Sequence, residues 1–472
     1  MRRFEFILAA SLLVSIALLL PGHIRKGRLF AVALIFSILV VCIHAITEGL
    51  HWQLIPLYAC IAILALVFLY DFVIPRWLFR LCGITCAVLL ISAIALSSVL
   101  PMFSLPEPTG PYKVGTRLLY LVDSSRLEIH GPGPRGYREL MVQIWYPTDR
   151  PAGKLATYRR RAETTLLSSY MSVLKTHSYL DAPIAKAGAP FPVLLFNPAW
   201  KNPRTQNTFQ FEDLASHGFV VASIDHTYNS QPVAFPDGRR ITAQDAPEIG
   251  DFTHYTRQEM VDLGNRELAY QTADDRFVLD SLSTLNLDSA SYYFARLNTD
   301  VAGAFGHSFG GAVAMEVCHS DPRVKAALNM DGWLFGTVAE KGLNKPLFIM
   351  SDENPAPPEQ DLQSANSATR LSAEWERQDT QRISYTLETY GGFYLVIRNS
   401  RHMIFSDRAL YSPVRSLRES GPVDSRAAHQ IIESYTLAFF LKYLKGQHNL
   451  LLEQTPSPFA GTELRIYPRP KS

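Results

Sequence analysis

The segment VAGAFGHSFGG, residues 301–311, sets Ser308 in a G-x-S-x-G frame. A serine hydroxyl is a weak nucleophile until an imidazole takes its proton and a buried carboxylate holds that imidazole in place. The frame supports such chemistry when a strand precedes it and a helix follows, because the serine then sits on a sharp, strained turn whose neighbours must lack side chains. VAGAF reads as a buried strand, GAVAMEVCHS (311–320) continues with helical spacing, and Gly306, Gly310 and Gly311 clear the turn.

A base and an acid must then follow Ser308 in the order Ser, acid, His. Four histidines qualify by position: His319, His402, His429 and His448. His319 lies on the helix that the serine begins, His429 on an amphipathic run, and His448 in a segment without strand support. His402 lies in RNSRHMIFSD, after the apolar run FYLVI, at the carboxyl end of what reads as the last strand, where ligands bind in open parallel sheets. Asp331 ends the run VKAALNM and Asp352 ends PLFIM, and spacing leaves both open as the acid. The oxyanion that forms during acyl transfer needs two backbone N–H donors. Phe309, the residue after the nucleophile, supplies one. The second must come from the loop after PVLLF, which reads Asn197-Pro198-Ala199-Trp200, and Pro198 has no N–H to offer. Asp225-His226 precedes the nucleophile and ends an earlier strand, so it reads as structural.

Positioning these groups requires a sheet. The runs LMVQIWY (140–146), PVLLF (192–196), FVVASID (219–225), DVAGAF (300–305), VKAALNM (324–330), PLFIM (346–350) and FYLVI (393–397) alternate with helical patterns, the signature of a mostly parallel sheet buried on both faces. Between them, Arg257–Leu282 reads as a helix, and residues 425–446 form an amphipathic run with Ser425 as cap and an end near Gly446. TTLLSSYMSVLKTHSYL (164–180) carries Leu167, Tyr170, Met171 and Leu174 on one helical stripe, able either to face a core or to rest on a bilayer. The loop ENPAPPEQ (353–360) is placed to border the pocket.

The first hundred residues have another character. They read as four apolar segments, Phe4–Leu20, Leu29–Ile46, Leu54–Ile74 and Leu81–Leu100, each about long enough to cross a bilayer core. Their loops hold Arg25, Lys26 and Arg28, then Glu48, His51 and Trp52, then Arg76 and Arg80. Cations in the first and third loops place those loops in the cytoplasm and the large domain outside, against the pull of Arg2 and Arg3. His44 and Asp71 lie toward segment ends, which gives no buried polar relay of the kind transport needs. After PMFSLPEPTGPYKVGT the chain becomes globular, so a membrane domain spans 1–104 and a catalytic domain 105–472. The formal charge of +2, from 45 basic and 43 acidic residues without long like-charge runs, leaves no footprint for nucleic acid. Four of the five cysteines fall in the apolar region, so Cys318 alone cannot build a disulfide framework for the large domain. Cys82 and Cys86 lack the partners a metal site needs, and no metal or cofactor is implied.

From about residue 140 to 410, the ordered motifs PVLLFNPAW, ASHGFVVASIDH, GHSFGG, RVKAALNMDGWLF, KPLFIMSDE and HMIFSD resemble the plasma-type platelet-activating-factor acetylhydrolases, which are α/β-hydrolases. That family's acid directly precedes a small residue and a tryptophan, which corresponds to Asp331 before Gly332-Trp333. The resemblance therefore implies a triad of Ser308, Asp331 and His402, with Asp352 as the alternative acid, and Trp200 as the second oxyanion donor beside Phe309. This chain departs from the family at that turn, where Asn197-Pro198 stands for a histidine-glycine pair. The resemblance also implies calcium-independent release of short acyl chains from phospholipid. An elbow fixes reaction type and not substrate, so a carboxylesterase or lipase for other lipids or polyesters is the rival enzyme, and a non-catalytic membrane sensor the rival of another class.

Overall fold

The computed structural model describes residues 2–19, 27–70, 75–131, 136–243, 246–354 and 356–470. The expected span ends at Leu20 and Ile74, the loop cations Arg25 and Lys26, and Asp71 lie outside the described residues, as does the side chain of Arg76. The chain forms two compact units: Met1–Ser104 with Thr157–Lys175 and Leu410–Arg418, and Leu105–Ala156 with Thr176–Ala409 and Glu419–Ser472.

In the first unit the apolar segments form helices α1 (Arg3–Leu19), α2 (Arg28–Thr47), α3 (Ile55–Leu69) and α4 (Arg76–Val99). Four membrane spans were expected. Three helical stretches among the described residues, Arg28–Thr47, Trp52–Leu69 and Trp77–Val99, are long and apolar enough to cross a membrane. α1, described to Leu19, is not among them. It also buries polar groups, Glu5, Ser11 and Ser15, and Ser37 Oγ donates to Ser11 Oγ at 2.9 Å. His44 is fully buried, and its ring meets Glu48 at 2.9 Å and Tyr58 at 3.1 Å. The stripe at 164–180 is not one helix. A 3-10 turn at Ser169–Ser172 gives way to a strand, and Tyr170, Met171 and Leu174 are buried while Leu166 and Leu167 stay exposed.

The second unit is built on a sheet. Its strands and those of a small ladder are β1 (Lys113–Leu127), β2 (Tyr137–Thr148), β3 (Leu155–Thr157), β4 (Lys175–Leu180), β5 (Phe191–Asn197), β6 (Val220–Asp225), β7 (Val233–Ala234), β8 (Arg240–Ile241), β9 (Leu297–His307), β10 (Val324–Met330), β11 (Leu347–Ser351), β12 (Gly392–Ile397) and β13 (Thr462–Tyr467). Eleven of them make one sheet in the order β13-β12-β11-β10-β9-β5-β6-β2-β1-β4-β3, and β7 pairs with β8 apart from it. From β12 to β6 neighbouring strands run parallel, whereas β13, and β2 against both its neighbours, run antiparallel. Every residue of β5 and β6 is buried, as their unbroken apolar runs require for strands covered on both faces. FYLVI is therefore not the last strand: β13 adds an antiparallel edge beside it.

The remaining helices are α5 (Thr208–Ser216), α6 (Arg257–Leu287), α7 (Phe309–Ser320), α8 (Gly336–Lys341), α9 (Glu359–Leu362), α10 (Ser367–Tyr390), α11 (Arg415–Arg418) and α12 (Ser425–Lys445). α5 and α12 pack on one face of the sheet, and α6, α7 and α8 on the other. α6 starts with a capping box, Thr256 with Glu259, which satisfies two otherwise orphaned donors. α12 is capped by Asp424, whose carboxylate accepts the N–H of Ala427, rather than by Ser425, which is its first residue.

Register puts five strand ends on one rim. Asn197 stands opposite Gly306, His307 opposite Met330, Met330 opposite Met350, and Ser351 opposite Val396. The chain therefore leaves β5, β9, β10, β11 and β12 at the same carboxyl edge, where an open α/β sheet forms its ligand crevice.

Candidate active site

Ser308 occupies the turn between β9 and α7 at φ 55°, ψ −129°. A non-glycine residue there stores about 1–3 kcal/mol of strain, which surrounding packing must hold. Gly306 and Gly310 make the turn possible: a Cβ on Gly306 would lie 2.1 Å from the Gly310 carbonyl oxygen, and one on Gly310 would lie 2.1 Å from that of Asn197. The Ser308 N–H donates to the Met330 carbonyl at 2.8 Å, tying the elbow to the next strand.

That next strand delivers Asp331, also at positive φ, 58°. Its Oδ2 accepts from His402 Nδ1 at 2.6 Å, while Oδ1 takes the Asp352 N–H at 3.1 Å and the Ser351 hydroxyl at 3.3 Å. Asn329 braces the turn from below, accepting the Gly332 N–H at 2.8 Å and donating to the Gly332 carbonyl at 2.9 Å. Of the two carboxyls left open by spacing, Asp331 meets the imidazole, and Asp352 contributes its backbone. Burial raises the Asp331 carboxyl, but the bond and charge of His402 together with the Asp352 N–H outweigh it and the net direction is downward. Burial disfavours protonated His402, yet Asp331 reverses the sign and leaves that pKa raised. Asp352, buried beside the Asp331 charge, is pushed up to about 7. His402 Nε2 remains for a partner on its far side. Among the described residues no hydrogen bond joins it to Ser308, although both residues line one cavity, and such bonds commonly tighten only when substrate arrives.

The cavity measures about 380 Å³. Beside Ser308, Asp331 and His402 it is walled by Trp200, Phe309, Trp333 and Phe335, with Glu376, Asp379, Thr380 and Ile383 from one face of α10 and Asn354 from the ENPAPPEQ loop. The sequence of α10 gives no sign of this placement, since nothing in a charged helical run signals that it faces a site. Asp379 is buried, accepts the Leu334 N–H at 2.7 Å, and is pushed up by that burial to about 7.

Phe309 and Trp200, the two residues expected to supply oxyanion donors, both line the cavity. The Phe309 N–H begins α7 and has no intrahelical partner. Among the described residues the Trp200 N–H donates to no acceptor, whereas Ala199 N–H is taken by Gln206 Oε1 at 2.7 Å and Lys201 N–H by the Asn229 carbonyl at 2.9 Å. The Trp200 ring stands edge-on to Phe309, with centroids 5.2 Å apart, and its indole N–H donates to the Pro247 carbonyl at 2.8 Å. Asn197, at the end of β5, is pinned by Asp275 at 2.8 Å and His226 at 2.9 Å. His226 also bonds Asp274 and Asp225 pairs with Arg204, so these two side chains belong to separate buried pairs. The other histidines lie apart from the cavity: His429 stacks on Phe209 with centroids 3.9 Å apart, and His448 pairs with Glu453.

A parallel sheet with a strained serine elbow at its carboxyl rim is the architecture of the α/β-hydrolases. The family described as "Platelet-activating factor acetylhydrolase, isoform II" matches residues 98–455, most of the chain, and the protein belongs to this family of serine esterases. It is 23% identical over 398 residues to the platelet-activating factor acetylhydrolase of Cavia porcellus, covering 77% of this chain and 83% of that one. A probable 1-alkyl-2-acetylglycerophosphocholine esterase of Arthroderma benhamiae is 29% identical over 292 residues, 55% of this chain and 66% of the relative. Among solved structures, the ferulic acid esterase of Streptomyces cinnamoneus superposes with a TM-score of 0.61 at 28% identity, covering 77% of this chain and 99% of that one.

Proposed function

We propose that this protein is a membrane-anchored serine esterase that releases short acyl chains from phospholipid without calcium. The observation that carries the reading is the 2.6 Å contact between His402 Nδ1 and Asp331 Oδ2 on the wall of the cavity that Ser308 also lines. His402 Nε2 takes the hydroxyl proton as Ser308 Oγ bonds to the ester carbonyl carbon. The carbonyl oxygen becomes an oxyanion held by the N–H groups of Phe309 and Trp200. Collapse breaks the bond to the alcohol, which leaves with the proton from His402, and an acyl-serine remains. Water then gives a proton to His402 and attacks the acyl carbon, freeing the acid and restoring Ser308. Asp331 holds the imidazole tautomer and stabilises its charge throughout.

Residues 1–104 serve as the membrane domain and 105–472 as the catalytic one. Exposed Ile35, Leu39, Ile43, Leu66, Leu69, Ile84, Val88 and Ile91 on the three long helices favour a lipid surrounding, since such a surface would be costly in water. The catalytic part lies outside the cytoplasm in this reading. A fluorophosphonate probe tests the chemistry: it labels the detergent-solubilised wild type, and Ser308→Ala abolishes labelling. Labelling that survives the substitution would remove Ser308 as nucleophile.

A second reading concerns substrate. The aromatic walls Trp200, Trp333 and Phe335, together with the likeness to a ferulic acid esterase, favour aryl acyl esters. Matched acetyl, butanoyl, long-chain and cinnamoyl esters separate the two, because the phospholipid reading requires the highest kcat/KM for short acyl groups on a glycerophospholipid.

A further inference from the structure

Gln206, in the connection between β5 and α5, is buried and ties that connection to the end of β9 and to the segment after His402. Its Oε1 accepts the N–H of Ala199, next to Trp200. Its side-chain amide donates to Nδ1 of His307, whose Nε2–H donates to the carbonyl oxygen of His402 at 2.9 Å. Its own carbonyl takes the N–H of Asp407, beyond the turn that carries His402, at 2.8 Å. His307 is fully buried, with its ring 4.5 Å from that of His402. Burial, then the neighbouring His402, brings its pKa down to about 3, so it stays the neutral Nε2–H tautomer that this order of donors requires. Neither residue lines the cavity. The Ala199–Trp200 turn follows Pro198 and reaches positive φ at Lys201, 60°, and the Ala199 N–H has this one side-chain acceptor.

We infer that Gln206 and His307 are a coupled pair of positioning residues, which set the oxyanion donors at Trp200 and Phe309 in register with the base His402. The inference rests on the esterase reading of Ser308. Oxyanion donors act over about 2.7–3.1 Å, and a displacement of about 1 Å costs about 10²-fold in rate. Losing either member of the bridge frees the β5–α5 connection to shift against the end of β9 and the His402 segment, and losing both adds little.

The test uses full-length protein in detergent: wild type, Gln206→Met, His307→Phe and the double variant, with competent sites counted by fluorophosphonate titration. Each single variant is expected to lower kcat per titrated site by about 10- to 100-fold with KM within about threefold. Inhibition by a trifluoromethyl ketone, whose carbonyl oxygen becomes a hemiketal oxyanion when Ser308 Oγ adds to it, should weaken by the same factor. The double variant should lose no more than the worse single one. His307→Gln, which can still donate toward the His402 carbonyl, should recover part of the loss and covers the case in which His307→Phe does not fold. An unchanged kcat per titrated site, losses that multiply in the double variant, or a rise in KM alone would each overturn the inference. Wild type that fails to label at Ser308 would instead overturn the parent reading, whereas labelled wild type beside fully active variants removes the positioning pair alone.

Discussion

In the proposed triad the imidazole of His402 must be neutral to accept the serine proton, and Asp331 raises its pKa despite burial. Activity therefore falls as pH drops through that raised value, and the acid limb of kcat/KM should have its midpoint above about 6.5, the ordinary histidine value. A midpoint below it would show that Asp331 does not hold the ring. Asp331→Asn should cost about 10⁴-fold in kcat by disturbing the tautomer. Asp352→Asn should cost far less, and because the Asp352 charge also helps to raise His402, it should move the acid limb to lower pH. Equal losses from the two substitutions would return the acid's role to Asp352.

At the scale of elements, the rim depends on how closely the elbow meets β5. A methyl group on Gly310 would overlap the Asn197 carbonyl, so Gly310→Ala should lower thermal stability by at least the 1–3 kcal/mol typical of overpacking, and fluorophosphonate labelling should fall with it. For α12, Asp424→Ala should cost about 1 kcal/mol as a lost cap, and Ser425→Ala clearly less; the reverse order in thermal melting would restore the cap read from sequence. The buried strands β5, β6, β9, β10 and β11 were legible because unbroken apolar runs mark parallel strands covered on both faces. β1 and β13 were not, since they mix exposed and buried positions in no clean alternation. The stripe at 164–180 misled for a related reason: four apolar residues at helical spacing are equally available to a 3-10 turn that runs into a strand.

For the whole molecule, the three long apolar helices predict that full-length protein stays with the membrane through alkaline carbonate and comes off only in detergent. Release by carbonate would end the anchoring proposal. A reporter fused after Ser472 should be active only in its extracytoplasmic form, as the cations of the first and third loops require. α1 carries a different expectation: its buried Glu5, Ser11 and Ser15 suit packing inside a helical bundle more than contact with lipid.

Short-range pattern was enough to pick out the serine elbow, a histidine-bearing loop after an apolar strand, the apolar amino-terminal region and a largely parallel sheet, because each is written in neighbouring residues whose spacing reports local geometry. The choice between two carboxylates was different in kind. His402 and Asp331 stand 71 positions apart and Gln206 and His307 101 apart, so their meeting depends on strand register across the sheet and on where loops leave its rim. The cavity face of α10 depends on how that helix is rotated against its neighbours, which only packing decides.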